Sequence, residues 1–362
     1  MDLDLLITEL VAGKTAALAR AISVVENMRP GFERLLGEIH PSLGRARRIG
    51  ITGPPGAEKS TLVERLVAQY RSTGLKVAVV AVDPTSPFSG GALLGDRIRM
   101  ESIALDQGVY IRSMASRGSL GGLATTTREV CDLVDAAGFD RILVETVGVG
   151  QSELDIARMA DTTVLVLVPE SGDGIQTLKS GVMEIADIFV VNKADRTGAD
   201  KLRQEIEVTL GIRRGNAFRN VPAHHGRRGG GMEGRRVGRQ DRQKTLADSS
   251  APRASDSQPT AWEQPVLLVS AIKDEGIGEL VAALDRHHEW LSSGGELERR
   301  RRRRLMERTR EVVDRATRKW VWEETRAERL IGERLDEVAQ GRTSPYELAQ
   351  DVLEELKQGE RI

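Results

Sequence analysis

Cysteine is nearly missing from this sequence. One residue of 362, Cys131, excludes an internal disulfide and any thiolate-rich metal site, and fits a reducing compartment. Aromatic residues make up 3% of the chain, too few for the stacking platforms that hold single-stranded nucleic acid. Neither sign of charge is in excess. The 53 Lys and Arg against 54 Asp and Glu leave a formal net charge of −1, so no global field draws nucleic acid or an anionic membrane. No apolar run approaches the roughly 20 residues that cross a bilayer. The opening MDLDLLITEL lacks the basic start and apolar core of a secretory signal and the arginines of a transit peptide. The expectation is a cytoplasmic protein with no nucleic-acid or membrane partner.

What is present divides a chain long enough for one large domain with appendages, or for two domains. Residues 1–46 place Leu5, Leu6, Leu10, Leu18 and Ile22 at helical spacing, which predicts an N-terminal helical extension. From about residue 47, β-branched runs alternate with helical stretches. RIGITG (48–53), KVAVVAVD (76–83), RILVETVG (141–148), TTVLVLV (162–168), DIFVVNKAD (187–195) and PVLLVSA (265–271) are continuous rather than alternating apolar runs. Strands buried on both faces of a parallel sheet read this way. Several end in Gly, Asp or Asn, gathering polar groups at the strands' carboxyl edge, where open α/β sheets bind ligands.

Residues 212–264, rich in Gly, Arg, Ser and Pro, carry too little apolar surface to offset the entropy of ordering, and a disordered insertion between two strands is expected. Beyond 291 the chain is helical and highly charged. Its six-arginine run at 299–304, preceded by Glu296 and Glu298, reads as the solvated face of a long helix. Trp320 and Trp322 read as packing in a helical interface. A last helix is expected at SPYEL, with Ser344 as cap, Pro345 at its first position and Glu347 completing a capping box.

The stretch GITGPPGAEKSTLVERL at 50–66 nearly matches the phosphate-loop pattern G-x-x-x-x-G-K-[ST]. It follows an expected strand and opens an expected helix, so backbone N–H groups and the helix dipole converge on one spot. Gly53, Pro54, Pro55, Gly56, Ala57, Glu58, Lys59, Ser60 and Thr61 are the candidate nucleotide loop. Lys59 would reach the terminal phosphates and the Ser60 hydroxyl would ligate Mg²⁺. Glu58 stands where the pattern has glycine. A carboxylate about 5 Å from a phosphate, at an effective dielectric near 20, costs about 3 kcal/mol, roughly a hundredfold in affinity. Weakened nucleotide binding is therefore expected, relative to glycine at that position.

VVNKAD ends an apolar run with Asn192, Lys193 and Asp195, the order N-K-x-D. A carboxylate at the fourth position accepts from the ring N–H and exocyclic amine of guanine together, a donor pair that adenine lacks there. The Lys193 stem would lie over the base. A further strand ends in SAIK, where backbone N–H groups at Ser270, Ala271 and Ile272 would meet the base oxygen. The nucleotides implied are GTP and GDP.

Acids stand between these motifs: Asp83 ends a strand, Asp96 sits in GGALLGDRIRM, and Glu145 in LVETVGVGQSE. Magnesium on a triphosphate needs such hard oxygens near the loop serine. Gly148 would let the backbone approach a γ-phosphate. Gln151 reads either as a water-positioning group or as a polar helix start.

GITGPPGAEKST, AVDPTSPFSGGALLGDRIRM, SRGSLGGLA, VETVGVGQSE and VNKAD together resemble the ArgK/MeaB family, GTPases in the SIMIBI class of P-loop proteins that act as chaperones for methylmalonyl-CoA mutase. The resemblance runs over the whole chain apart from 212–264. It implies that Lys59, Ser60 and Thr61 bind phosphate, that Ser60, Asp83, Asp96 and Glu145 surround Mg²⁺, and that Asn192, Lys193 and Asp195 read guanine. Catalysis would depend on Lys59, Glu145 and Asp96. GDGIQTLKSGVME (172–184) resembles a partner-sensing switch, with Lys179 as a contact. The terminal helices resemble a homodimerisation arm, and the partner implied is a cobalamin-dependent acyl-CoA mutase.

The expected fold is α/β, a P-loop NTPase with a mostly parallel sheet and helices on both faces, spanning 47–290. Helical extensions would occupy 1–46 and 291–362. The adjacent pairs His224–His225 and His287–His288 have no second cluster at metal-ligand spacing. Two other functions fit the same residues: a scaffold whose nucleotide use Glu58 has impaired, and a P-loop kinase, which N-K-x-D disfavours.

Overall fold

A computed structural model of the chain describes residues 2–84, 100–116, 122–146, 152–169, 182–213 and 261–357, with side chains left undescribed at a few loop-proximal positions, Asp83 among them. Seven parallel strands form one sheet in the order β3-β2-β4-β1-β5-β6-β7. They are β1 (Arg47–Thr52), β2 (Val77–Pro84), β3 (Val109–Ser116), β4 (Arg141–Thr146), β5 (Thr162–Leu167), β6 (Ile188–Val191) and β7 (Val266–Leu268). Six of them lie within the continuous apolar runs or one residue beyond. β3 was not expected. Its sequence VYIRSMAS is broken by Arg112 and Ser113 and pairs only with β2, so an edge position replaces the double-sided burial that makes the other strands legible.

Each run is apolar throughout because both faces are covered. In β2, Val77 and Val79 point into the core beneath α4 (Lys59–Ser72) and α10 (Ile277–Ser293), while Ala78, Val80 and Val82 point into the opposite core. That second core is roofed by α6 (Gly122–Ala136) and by the N-terminal helices α1 (Leu3–Val11), α2 (Thr15–Glu26) and α3 (Phe32–Ile39). Leu10, Leu18, Ile22, Leu35 and Ile39 are fully buried there, each worth about 1.5–3 kcal/mol. The first 46 residues thus share a core with the sheet.

Short α5 (Glu101–Ala104), α7 (Ser152–Met159), α8 (Val182–Ile185) and α9 (Ala199–Arg213) complete the layers. α7 lies so close to β1 that a Cβ at Gly50 would stand 2.3 Å from the Ile156 side chain. Most of the 212–264 insertion lies outside the described residues. Its ends are held: Ile212 and Arg213 continue α9, and Trp262 packs against the His287 ring in a tilted contact, centroids 4.7 Å apart, and donates from Nε1 to the Asp187 carbonyl at 2.8 Å.

The C-terminal helices are α11 (Glu296–Glu323), α12 (Ala327–Ala339) and α13 (Pro345–Lys357). The capping box forms as read: Glu347 N–H donates to Ser344 Oγ and Ser344 N–H to Glu347 Oε2. The arginine run corrects its expectation. Arg299, Arg302 and Arg303 face water, but Arg300 pairs with Asp187 at 3.0 Å and Arg301 with Asp161 at 2.9 Å. Arg304 joins the same Asp161, and Arg308 reaches Asp132. Farther along, Glu311 takes Arg128 and Arg315 pairs with Glu129. Arginines at 300, 301, 304 and 308 make one helical stripe, and the acids they meet are buried on the globular domain. Trp320 and Trp322, expected in an interface, remain partly exposed.

Candidate nucleotide site

β1 ends at the centre of the sheet between β4 and β5, and the chain turns from Gly53 into α4 around an open loop. Gly53 has φ +146° and its missing side chain leaves room that a Cβ would fill, 2.1 Å from the Val166 carbonyl oxygen. Only glycine closes this turn against β5. Pro55 and Gly56 form the exposed arch, Pro54 is partly covered, and Ala57 is buried beneath it. Lys59 and Ser60 begin the helix and are both buried. The Lys59 ammonium donates to the carbonyls of Gly53 at 2.8 Å and Pro54 at 3.1 Å, folded back over the cradle it closes. Thr61 follows in the same first turn.

The Ser60 hydroxyl donates to Glu145 Oε1 at 2.7 Å, and Glu145 is 1% exposed near the end of β4. Two hard oxygens, one from the start of α4 and one from β4, therefore meet at the mouth of the loop, as a magnesium ion sharing phosphate ligands requires. Asp83 lies on β2 one residue beyond Val82, the register partner of Thr146, so its backbone reaches the same carboxyl edge. Asp96, Gly148, Gln151 and Lys179 lie outside the described residues.

The second motif sits beside the loop. Asn192, 0% exposed, donates from Nδ2 to the Ala57 carbonyl at 2.8 Å and accepts at Oδ1 from the Ala271 N–H at 3.1 Å. It clamps the phosphate loop to the SAIK loop, which is how the two expected halves of the site are brought together. Asp195 Oδ1 accepts from the Ser270 hydroxyl at 3.1 Å, and Lys273 stands 3.5 Å from Oδ2. The Ser270 bond, aided by Lys273 and opposed by burial, holds the Asp195 carboxyl below the usual carboxylate range. An ionised acceptor is what guanine's paired donors need. Ile272 is exposed beside Ala271.

Sequence reasoning missed two residues, Lys273 and Arg65, and the side-chain role of a third, Ser270. The Ser270 side chain orients Asp195, in addition to any backbone contact. Lys273, the last letter of SAIK, balances the same carboxylate. Arg65, one face of α4 away, donates to the Ala271 carbonyl at 3.1 Å. Nothing in the local sequence marks these side-chain roles, since each acts across a loop junction.

Glu58 takes the left-handed backbone that the glycine would take, φ 58° and ψ 41°. Holding a non-glycine residue there costs about 1 kcal/mol. Its carboxylate turns toward Lys193, 3.3 Å from the ammonium, while Oε2 is buried with no hydrogen-bond partner among the described residues. The lysine meant to cover the base thus partly neutralises the acid.

The histidines separate. His287 is buried, with Nδ1 2.8 Å from the Thr162 hydroxyl and Nε2 3.4 Å from Asp187. His288 is half-buried, and burial, reinforced by Arg47, pushes its pKa down to about 4.

Comparison with known proteins bears on the family and the fold. The family model described as methylmalonyl Co-A mutase-associated GTPase MeaB matches residues 18–326. A protein of Pyrococcus abyssi that carries a GTPase name is 43% identical over 311 residues, 86% of this chain and 84% of its own. In Mycobacterium tuberculosis strain H37Rv, a protein named "Probable GTPase" is 38% identical over 97% of this chain and 94% of its own. The crystal structure of a LAO/AO transport system kinase, 28% identical, matches with a TM-score of 0.63 over 98% of this chain and 97% of that one. The parallel P-loop architecture read from the apolar runs is the architecture found.

Proposed function

The chain belongs to the MeaB family of methylmalonyl Co-A mutase-associated GTPases, and from that premise we propose that it is a GTP-binding and GTP-hydrolysing chaperone for a cobalamin-dependent acyl-CoA mutase. Its nucleotide state would govern loading or protection of that mutase's cofactor. The observation that carries the reading is the Asn192 clamp, which sets Asp195 and the Ala271 N–H beside a phosphate loop. An adenine nucleotide placed there would leave the Asp195 carboxylate unpaired.

In this mechanism Lys59 leaves the Gly53 and Pro54 carbonyls for the terminal phosphates, exchanging neutral acceptors for charged ones. The loop's N–H groups and the α4 dipole fix the phosphate chain. Ser60 and Glu145, with Asp83 and Asp96, would hold Mg²⁺, which when bound neutralises charge that develops on the phosphates. Glu145 accepts the Ser60 proton in the hydrogen bond and keeps that hydroxyl oriented. The 172–184 segment, with Lys179, is proposed to sense the mutase. Exposed Met306, Val312, Val313, Trp320 and Trp322 on α11 favour pairing of the arm with a second copy. A cytoplasmic site of action fits the single cysteine.

The Glu58–Lys193 ion pair favours one alternative, a family member whose nucleotide use is impaired and which binds its partner constitutively. Calorimetric titration of GTP, GDP and ATP with Mg²⁺ into the purified protein tests the main reading. GTP and GDP are expected to bind and ATP not; equal binding of all three, or of none, overturns it. The scaffold is separated by measuring mutase affinity with and without a non-hydrolysable GTP analogue, because a scaffold shows no difference. Phosphate released into solution, rather than transferred to an acceptor, excludes a kinase.

A further inference from the structure

A cavity of about 240 Å³ lies at the opposite edge of the sheet from the nucleotide loop, where β1 and β5 begin. The two sites are separated by the length of β1, about 20 Å at the usual rise per residue. The cavity is built by the turn after α3, the start of β1, α6, the end of α7 with the turn into β5, and the docked face of α11. At about 30 Å³ per water, it has room for some eight water-sized groups.

Its lining is unusual in charge. Arg48, Arg128, Arg301, Arg304 and Arg308 meet there with Asp132, Asp135 and Asp161. Five guanidinium groups against three carboxylates leave two positive charges. Glu311, paired with Arg128 at 2.6 Å, reduces that excess to one. These side chains are covered rather than solvated: Arg128 is 6% exposed, Arg48 14%, Arg304 16% and Arg308 21%. Among the described residues, Arg128 Nε is buried with no hydrogen-bond partner, which is costly for a charged donor. Leu43, Met159 and Leu305 supply an apolar wall.

The arginines also burden one another. Burial disfavours the charged form of Arg308, and the nearby Arg48, Arg128 and Arg315 add to it; Glu129 offsets only part. Arg304 is shifted the same way, by burial first and then by Arg48 and Arg301, despite Asp161. An anion in the cavity would relieve both. A set of ion pairs serving only to attach a helix would instead match its charges.

We propose that this cavity binds a small organic oxyanion, its carboxylate or phosphate group held by Arg128, Arg304 and Arg308 and its carbon body lying against Leu43, Met159 and Leu305. The bidentate geometry of guanidinium suits either group. The site is built across the joint between the globular domain and α11, so occupancy would also strengthen the docking of that helix.

Thermal unfolding of the full chain tests this, with succinate and inorganic phosphate titrated at constant ionic strength against sodium chloride. A saturable rise in Tm is expected with at least one of them, about 5 °C at a hundredfold excess over Kd. Response to succinate alone identifies a carboxylate site, and response to phosphate alone a phosphate site. Phosphate bound at the nucleotide loop is distinguished with Lys59→Ala, which must leave the rise intact. Arg308→Gln should abolish it. Because that variant loses an ion pair of its own, Leu305→Trp serves as a second: it fills the cavity while keeping every charge, and should remove the ligand effect. A rise no larger than that from chloride, or one that survives Leu305→Trp, overturns the proposal and leaves the arginines as attachment only.

Discussion

The Glu58 carboxylate faces the Lys193 ammonium at 3.3 Å, and both residues hold left-handed backbone at φ 58°. The pair joins the one departure in the phosphate loop to the residue expected to cover the base. Glu58→Gly removes a charge near the phosphates, ends the competition for Lys193 and relieves about 1 kcal/mol of backbone strain. Glycine's greater freedom in the unfolded chain offsets that relief. The expected result is a ten- to hundredfold lower Kd for GTP with little change in unfolding midpoint. Calorimetry and urea denaturation read the two quantities, and an unchanged Kd would show the acid to be harmless.

Asn192→Ala takes away both bonds of the clamp. The Ala57 carbonyl and the Ala271 N–H lose their partners in a buried junction, at about 1–3 kcal/mol each. Destabilisation of about 2–6 kcal/mol is expected from chemical denaturation, with loss of guanine-nucleotide binding. Retained binding would mean that the two loops hold their spacing without it.

Gly53→Ala meets the Val166 carbonyl oxygen at 2.1 Å, a backbone atom that cannot step aside. The loop must open or the strand shift, and GTP affinity is expected to fall at least tenfold while the sheet survives. Far-ultraviolet circular dichroism and nucleotide titration separate these effects.

Asp161 is 2% exposed and shared by Arg301 and Arg304. Burial by itself would raise its pKa, but Arg304 and then Arg301 outweigh burial and hold the carboxyl well below the usual range. The folded value lies under the unfolded one, about 3.9. Its stabilisation is therefore complete above that pH and lost only as pH falls through the depressed value. α11 should stay docked from neutrality to about pH 4. Asp161→Asn should release it at every pH, at a cost of about 3–5 kcal/mol. Hydrogen exchange along α11 measures the release.

His288 governs the milder acid range. Its folded pKa, about 4 against an ordinary 6.5, makes protonation cheaper in the unfolded chain. Stability should decline as pH drops from about 6.5 toward 4, by about 1 kcal/mol, since the ring is half-buried and screened. His288→Gln should flatten that decline in denaturation curves taken across the interval.

The strands and the chemical motifs were legible because their causes are local. A strand buried on both faces must be apolar at every position, so VAVVAV and TTVLVLV announce themselves, whereas VYIRSMAS, paired on one side only, does not. Gly53, Lys59 and Ser60 are marked by the tight turn and helix start they require. Lys273, Arg65 and the side-chain role of Ser270 carry no such mark, because each acts on a residue that the fold alone brings near. The arginine run misled for the same reason. A charged helix stripe reads as solvated until Asp132, Asp161 and Asp187 are known to stand opposite it.

By itself the amino-acid order determined the parallel α/β sheet, the place of the phosphate loop and the choice of guanine, since each rests on residue types at short spacing. Tertiary structure alone decided that Asn192 ties two loops together, that Glu58 turns to Lys193, and that α11 locks its arginines onto buried aspartates. Those outcomes depend on distances between segments about 80 to 180 residues apart, which no local pattern encodes.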